Sequence, residues 1–126
     1  MKLFLPDTNV LIYGFSNIAP FGEYLKQWIR EKTLALSAIV VAEFLVDISK
    51  KDKEMFEMLL EEFGSLPVDT SVARIAADYR KSFLQKGYKL KLPDCLIAAT
   101  AKLSDATLVS LNLKDFPMKD IEKLEL

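Results

Sequence analysis

Short apolar runs alternate with longer amphipathic ones along this chain. Leu3-Phe4-Leu5 is a near-continuous apolar run, the pattern of a strand covered on both faces. Pro6 cannot donate to a ladder and suits the end of that strand, so residues 2–6 read as the first strand. Asp7, Thr8 and Asn9 can each cap a helix. Val10-Leu11-Ile12-Tyr13 begins one, which Gly14 and Ser16-Asn17 are expected to stop. Over residues 20–32, Phe21, Tyr24, Leu25, Trp28 and Ile29 recur at helical spacing. Thr33 to Leu36 is a short second strand. Ser37 caps a helix from Ala38 to about Ile48, with Glu43 in its middle. Asp47, Lys50, Lys51 and Asp52 mark a solvated turn. Residues 53–63 form a further helix with Met55, Phe56, Leu59, Leu60 and Phe63 on one side.

The second half repeats the alternation. Leu66-Pro67-Val68 is a weak third strand, and Asp69-Thr70-Ser71 offers caps for a long helix to about Lys86. Gly87, able to take positive φ, closes that helix. Pro93-Asp94 leads into Cys95 to Ala101, a helical stretch apolar on every side and hence buried. Thr107 to Ser110 reads as the fourth strand and residues 111–116 as a loop or single turn. Residues 121–126 alternate apolar and charged positions, as an edge strand does. Strands alternating with helices predict an α/β domain: a mostly parallel sheet of four to five strands with helices on both faces, a three-layer sandwich. No internal repeat or linker divides residues 1–126, and the length suits one domain.

Composition narrows the chemistry. The chain has no histidine and one cysteine, Cys95. A Ser-His-Asp triad, a Cys-His pair, histidine metal ligands, thiolate zinc sites and an intrachain disulfide are all excluded. Carboxylate clusters without nitrogen or sulfur ligands suit hard cations, Mg²⁺ or Mn²⁺. Lys plus Arg total 17 against 18 Asp plus Glu, a net charge of −1. Any phosphate partner must therefore be held by a local basic patch or by metal ions. No apolar run reaches the ~18 residues of a membrane span. The opening residues are too short for a signal peptide, so a cytoplasmic protein with no membrane association is expected.

Several acids stand where the pattern gives them a second use. Asp7 follows the first strand directly, and ligands of open α/β sheets bind outside the carboxyl ends of strands; taken alone, an N-cap is the better explanation of it. Glu43 lies among Ile39, Val40, Val41, Ala42, Phe44, Leu45 and Val46. A glutamate there calls for a partner or a metal, or else for a narrow polar stripe with Asp47. Asp94 sits in the first turn of the apolar helix, where the helix dipole favours it whatever its function. Asn112 and Asp115 follow the fourth strand as Asp7 follows the first, although Asx residues often serve the turn itself. Thr8, Asn9 and Ser110 can supply supporting hydrogen bonds to these carboxylates.

The order of these residues resembles the PIN-domain family of metal-dependent ribonucleases, in particular its VapC-type toxin members. The pieces are Asp7-Thr8-Asn9-Val10-Leu11-Ile12-Tyr13, Glu43 within Ser37-Ala38-Ile39-Val40-Val41-Ala42-Glu43-Phe44, Leu92-Pro93-Asp94 with the apolar helix behind it, and Leu108 to Phe116. The resemblance implies RNA phosphodiester cleavage at an acidic pocket holding Mg²⁺ or Mn²⁺, with Asp7, Glu43, Asp94 and Asp115 as catalytic acids. Asp7, Asp94, Glu43, Asp115 and Asn112 are then the metal ligands. It also implies a cognate antitoxin and a homodimer. Asn112 is uncharged and Leu111 stands where many members carry a polar residue, two departures from the pattern. Lys81, Lys86, Lys89 and Lys91, with Arg74 and Arg80, are candidate contacts for single-stranded RNA; a solvated helix end is the plain alternative. A catalytically degenerate member that binds RNA or protein is the competing reading. An aspartyl-phosphate enzyme is disfavoured, because the second acid such enzymes carry two residues on is replaced here by Asn9.

Overall fold

The computed structural model describes residues 1–46 and 48–126. Strand β1 (Phe4–Pro6) is followed by α1 (Thr8–Phe15), α2 (Phe21–Arg30), α3 (Ala38–Leu45), α4 (Lys50–Phe63), α5 (Thr70–Gln85) and α6 (Leu92–Ser104). Strand β2 (Thr107–Ser110), a 3₁₀ turn (Leu113–Asp115) and β3 (Lys123–Glu125) complete the chain. The three strands form a parallel sheet in the order β1-β2-β3. Pro6 is opposite Val109, and Val109 opposite Leu124. Every residue of β2 is buried, so both faces of the sheet are covered by helices, as parallel sheets require.

The sheet has three strands where four to five were expected, and the missing two are present in reduced form. Phe4 N–H donates to Thr33 O at 2.7 Å and Ala35 N–H to Phe4 O at 2.8 Å. Next to that segment, Leu66 N–H donates to Leu36 O at 2.7 Å and Ala38 N–H to Leu66 O at 2.9 Å. Each segment makes a single parallel bridge, Phe4 with Leu34 and Ser37 with Leu66. Neither extends into a ladder: Ser37 turns the chain into α3 and Pro67 has no N–H to give. Five segments thus lie side by side, although only three qualify as strands.

Helix boundaries shift for identifiable reasons. Gly14 does not stop α1 but lies within it. A Cβ there would sit 3.0 Å from Leu25 Cδ2 and 3.2 Å from Leu25 Cβ, so the glycine lets α1 and α2 approach closely. Ser16 is the C-cap and Asn17 takes φ 55°. Helix α3 ends at Leu45 rather than near Ile48. Helix α4 begins at Lys50, three residues earlier than expected, because the Ser49 hydroxyl accepts the Asp52 N–H at 3.1 Å. Lys50 and Lys51 are therefore helical rather than part of a turn; Asp47 lies outside the described residues. Beneath α1, α3 and α4, Phe56 is fully buried with its ring centroid 4.6 Å from Phe44 and 5.9 Å from Phe15.

Helix α6 is the buried spine the apolar pattern predicted: Cys95 and residues 97–101 are all buried. Helix α5 packs along it, and a polar triad ties both to the segment before β3. Tyr79 Oη donates to Asp120 Oδ1 at 2.9 Å, and Lys102 Nζ pairs with Asp120 Oδ2 at 2.9 Å. Burial and the neighbouring Asp120 push the Tyr79 hydroxyl well above its ordinary pKa, so it remains a donor at any physiological pH. Tyr79→Phe is expected to lower stability by about 1–2 kcal/mol, read as a lower urea midpoint with an unchanged slope.

Candidate active site

The C-terminal ends of β1 and β2 open into a pocket of about 270 Å³ lined by Asp7, Thr8, Asn9, Glu43, Lys91, Pro93, Asp94, Ile97, Asp115 and Phe116. Asp7 enters it as the N-cap of α1. Its backbone N–H donates to Val109 O at 2.9 Å, its Oδ1 accepts from Val10 N–H at 3.1 Å, and its Oδ2 accepts from Ser110 Oγ at 2.6 Å. Capping and presentation at the sheet edge are therefore one arrangement. The Ser110 hydroxyl also accepts the Asn112 N–H at 3.1 Å, and of the two acceptors within its reach Asp7 Oδ2 at 2.6 Å is much nearer than Asn112 O at 3.4 Å, which directs its proton at Asp7.

Glu43 reaches the pocket from α3, and its Oε1 accepts from Thr8 Oγ1 at 2.5 Å. It is not immersed in apolar surroundings as its neighbours suggested. Helix α3 buries Val40 and Phe44 and leaves Ala42 and Glu43 exposed. Asp94 occupies the first turn of α6. Asp115 is delivered by the 3₁₀ turn after β2. Asn112 does not line the pocket. It caps that turn, its Oδ1 accepting the Lys114 N–H at 3.1 Å, and so shapes the turn that carries Asp115.

Two of the acids, Asp7 and Asp94, are pushed above their ordinary pKa. Burial is the main cause for Asp7, opposed by the Ser110 and Val10 hydrogen bonds and reinforced by Asp115 and Glu43. Asp94 is pushed up to about 6 by burial, then by Asp115 and Glu43, with Lys91 pulling the other way. Among the described residues the salt bridges engage Asp105, Glu122 and Asp120, none of them a pocket acid. The donors are all oxygens, the set a hard divalent cation takes. Among the described residues no three acids are already drawn up around one point, so holding an ion requires side-chain adjustment. A cavity of about 340 Å³ at the opposite end of the sheet, walled by Leu3, Leu34, Leu36, Phe63 and Leu66 among others, is mostly apolar and gathers no such cluster.

Of the basic candidates only Lys91 lines the pocket. Lys89 is exposed two residues before it, and Lys86 Nζ lies 5.1 Å from the centroid of the Phe83 ring. Lys81 and Arg74 are exposed on α5, and Arg80 is partly buried, its Nε without a hydrogen-bond partner. Pro93, Ile97 and Phe116 form apolar wall that the sequence reading did not single out. Ile97 is one helical turn beyond Asp94 and Phe116 follows Asp115, and that adjacency was the available signal.

The fold and the site together define a class of protein: a parallel α/β sandwich with acids gathered where the strands end. Within that class this chain belongs to the PIN-domain family, whose model matches residues 4–122. It is 35% identical over 121 residues to "Ribonuclease VapC2" of Rickettsia felis, covering 90% of each chain. It is 29% identical over 116 residues to "Ribonuclease VapC10" of Mycobacterium tuberculosis, covering 92% of this chain and 87% of the relative. Among solved structures, VapBC2 of Rickettsia felis bound to a promoter DNA fragment superposes with a TM-score of 0.81 at 23% identity, over 99% of each chain. FitAcB of Neisseria gonorrhoeae gives 0.73 at 29% identity, over 98% of this chain and 97% of that one.

Two outcomes test the site. Asp94 has its pKa raised above the ordinary 3.8, so its contribution to stability is fully present below about pH 4 and is lost as pH rises through about 6. The metal-free protein should accordingly lose thermal stability across that window, and Asp94→Asn should flatten the loss. Ser110→Ala removes the donor on Asp7 Oδ2. It should raise the Asp7 pKa further in an NMR titration and weaken Mn²⁺ affinity by about 10–100-fold.

Proposed function

We propose that this protein is a divalent-metal-dependent endoribonuclease, the toxin component of a toxin–antitoxin pair. The observation that carries the reading is the pocket of Asp7, Glu43, Asp94 and Asp115 at the sheet's end, with no salt-bridge partner for any of them among the described residues. Such a concentration of like charge is costly unless a cation joins it. The ribonuclease names of its relatives support the substrate, and the description of a similar structure, 31% identical, as a toxin–antitoxin complex from Klebsiella pneumoniae supports the partner.

Asp7 and Asp94 would hold Mg²⁺ or Mn²⁺, with Asp115 and Glu43 completing the oxygen donors directly or through water. The ion supplies positive charge that offsets the phosphate and lowers the pKa of a bound water. Glu43, with one oxygen fixed by Thr8, uses the other to orient and deprotonate the attacking water. The water oxygen bonds to phosphorus, the bond to the leaving ribose oxygen breaks, and that oxygen takes a proton from solvent. Lys91 at the pocket rim meets a phosphate of the incoming strand. The hydrogen bonds from Ser110 and the Val10 N–H aim Asp7 and favour its ionised form against the effect of burial.

The test is direct. Purified protein incubated with mixed-sequence single-stranded RNA should cleave it in Mg²⁺ or Mn²⁺ and not in EDTA, and Asp7→Asn and Asp94→Asn should each abolish cleavage. Cleavage that persists in EDTA, or in both variants, would falsify the assignment. Metal-dependent binding without cutting would favour the degenerate reading.

A further inference from the structure

We infer that Tyr88 is a base-stacking platform that receives an unpaired nucleotide next to the acidic pocket, making the site selective for single-stranded over duplex RNA. The inference rests on the ribonuclease reading above and names a substrate contact that reading does not include.

Tyr88 is 59% exposed, yet its backbone and ring are both supported. Gly87, at φ 89°, turns the chain out of α5, and the Tyr88 N–H then donates back to Phe83 O at 2.8 Å. The Tyr88 ring meets the Phe83 ring edge to face, with centroids 6.4 Å apart and planes at 75°. Phe83 packs against the core and carries the Lys86 ammonium 5.1 Å from its centroid. A tyrosine merely tolerated on a solvated turn needs no such backing. This one is held while most of its surface remains in water.

Its position relative to the pocket follows from the next three residues. Leu90 is 8% exposed and pins the segment to the core, while Lys89 and Lys91 on either side are exposed. Lys91 is the N-cap of α6 and lines the pocket. Three residues span at most about 11 Å of chain, so the Tyr88 backbone lies no farther than that from the backbone of Lys91, which lines the pocket. Lys86, Lys89 and Lys91 form no salt bridge among the described residues. An exposed aromatic flanked by unneutralised lysines, leading into a site for a polyanion, is the arrangement that proteins use to bind single strands. The ring stacks a base and the ammonium groups follow the phosphates. A duplex offers no free base face, because its bases are stacked on one another.

The experiment compares native protein, Tyr88→Ala and Tyr88→Phe on one mixed-sequence RNA. It measures kcat and KM for metal-dependent cleavage, and fluorescence anisotropy of the labelled RNA in EDTA. Tyr88→Ala should raise KM and weaken metal-free binding by about five- to a hundredfold. Its kcat should stay within about twofold of native, and Tyr88→Phe should behave as native because the ring face is what stacks. The same RNA annealed into a duplex should bind the native protein and Tyr88→Ala equally poorly. Cleavage by the native protein with an unchanged KM in Tyr88→Ala would overturn the stacking role and leave the ribonuclease reading intact. If the native protein cleaves no RNA, that reading fails, and anisotropy still decides: equal RNA binding by native protein and Tyr88→Ala overturns the platform as well. A shift in oligomeric state in Tyr88→Ala, with RNA binding intact, would make this surface a protein interface and likewise overturn it.

Discussion

The parallel pairing of β1 with β2 is the constraint on which the site depends. With Pro6 opposite Val109, Asp7, the residue after β1, falls level with Ser110, the last residue of β2. Asp7 N–H then reaches Val109 O, and the Ser110 hydroxyl reaches Asp7 Oδ2. A slip of one residue would turn Ser110 to the other face of the sheet and remove both the donor and the turn that presents Asp115. The buried runs of the two strands, Leu5 and residues 108–109 at 0% exposure, fix that register by leaving no alternative face for the apolar side chains. Core packing and site geometry are in this sense the same interaction seen from two ends.

The pocket opposes that order with electrostatic strain. Asp7 and Asp94 are both held above their ordinary pKa, burial being the largest cause and the neighbouring acids adding to it. Among the described residues no salt bridge neutralises them, although the chain has almost as many cations as anions. Its lysines are deployed elsewhere: Lys2 and Lys102 form surface pairs, and Lys86, Lys89 and Lys91 collect on one approach to the pocket. Separating the charges in this way costs stability in the empty site and leaves one edge suited to a cation and the adjoining edge to a polyanion.

Much of this was legible in the sequence. Buried strands ending in Asp7 and in Ser110 marked where a site could form, and the all-apolar Cys95 to Ala101 stretch identified α6 as the spine carrying Asp94. What the sequence misrepresented was mostly tertiary. Gly14 reads as a helix stop, but its absent side chain serves the approach of Leu25 across two helices. The segments at Leu34 and Leu66 have strand composition but too little length before Ser37 and Pro67 to make ladders. Asn112 resembles a ligand by its position after β2, and only the hydrogen bond to Lys114 shows its carboxamide serving the turn. Glu43 has apolar neighbours, yet α3 buries only Val40 and Phe44 fully, packs Ile39, Val41 and Leu45 partly against the core, and leaves Glu43 exposed.

The Ser110–Asp7 hydrogen bond joins residues 103 positions apart. Synthesis runs from the N-terminus, so Asp7 is made 103 residues before the hydroxyl that aims it. Asp94 and Asp115 also come from the final third of the chain. The pocket therefore cannot assemble on a partial product: until β2 has been translated and has paired with β1, the early acids are solvated carboxylates on an unfinished domain. This topology ties the site's assembly to the β1–β2 pairing itself.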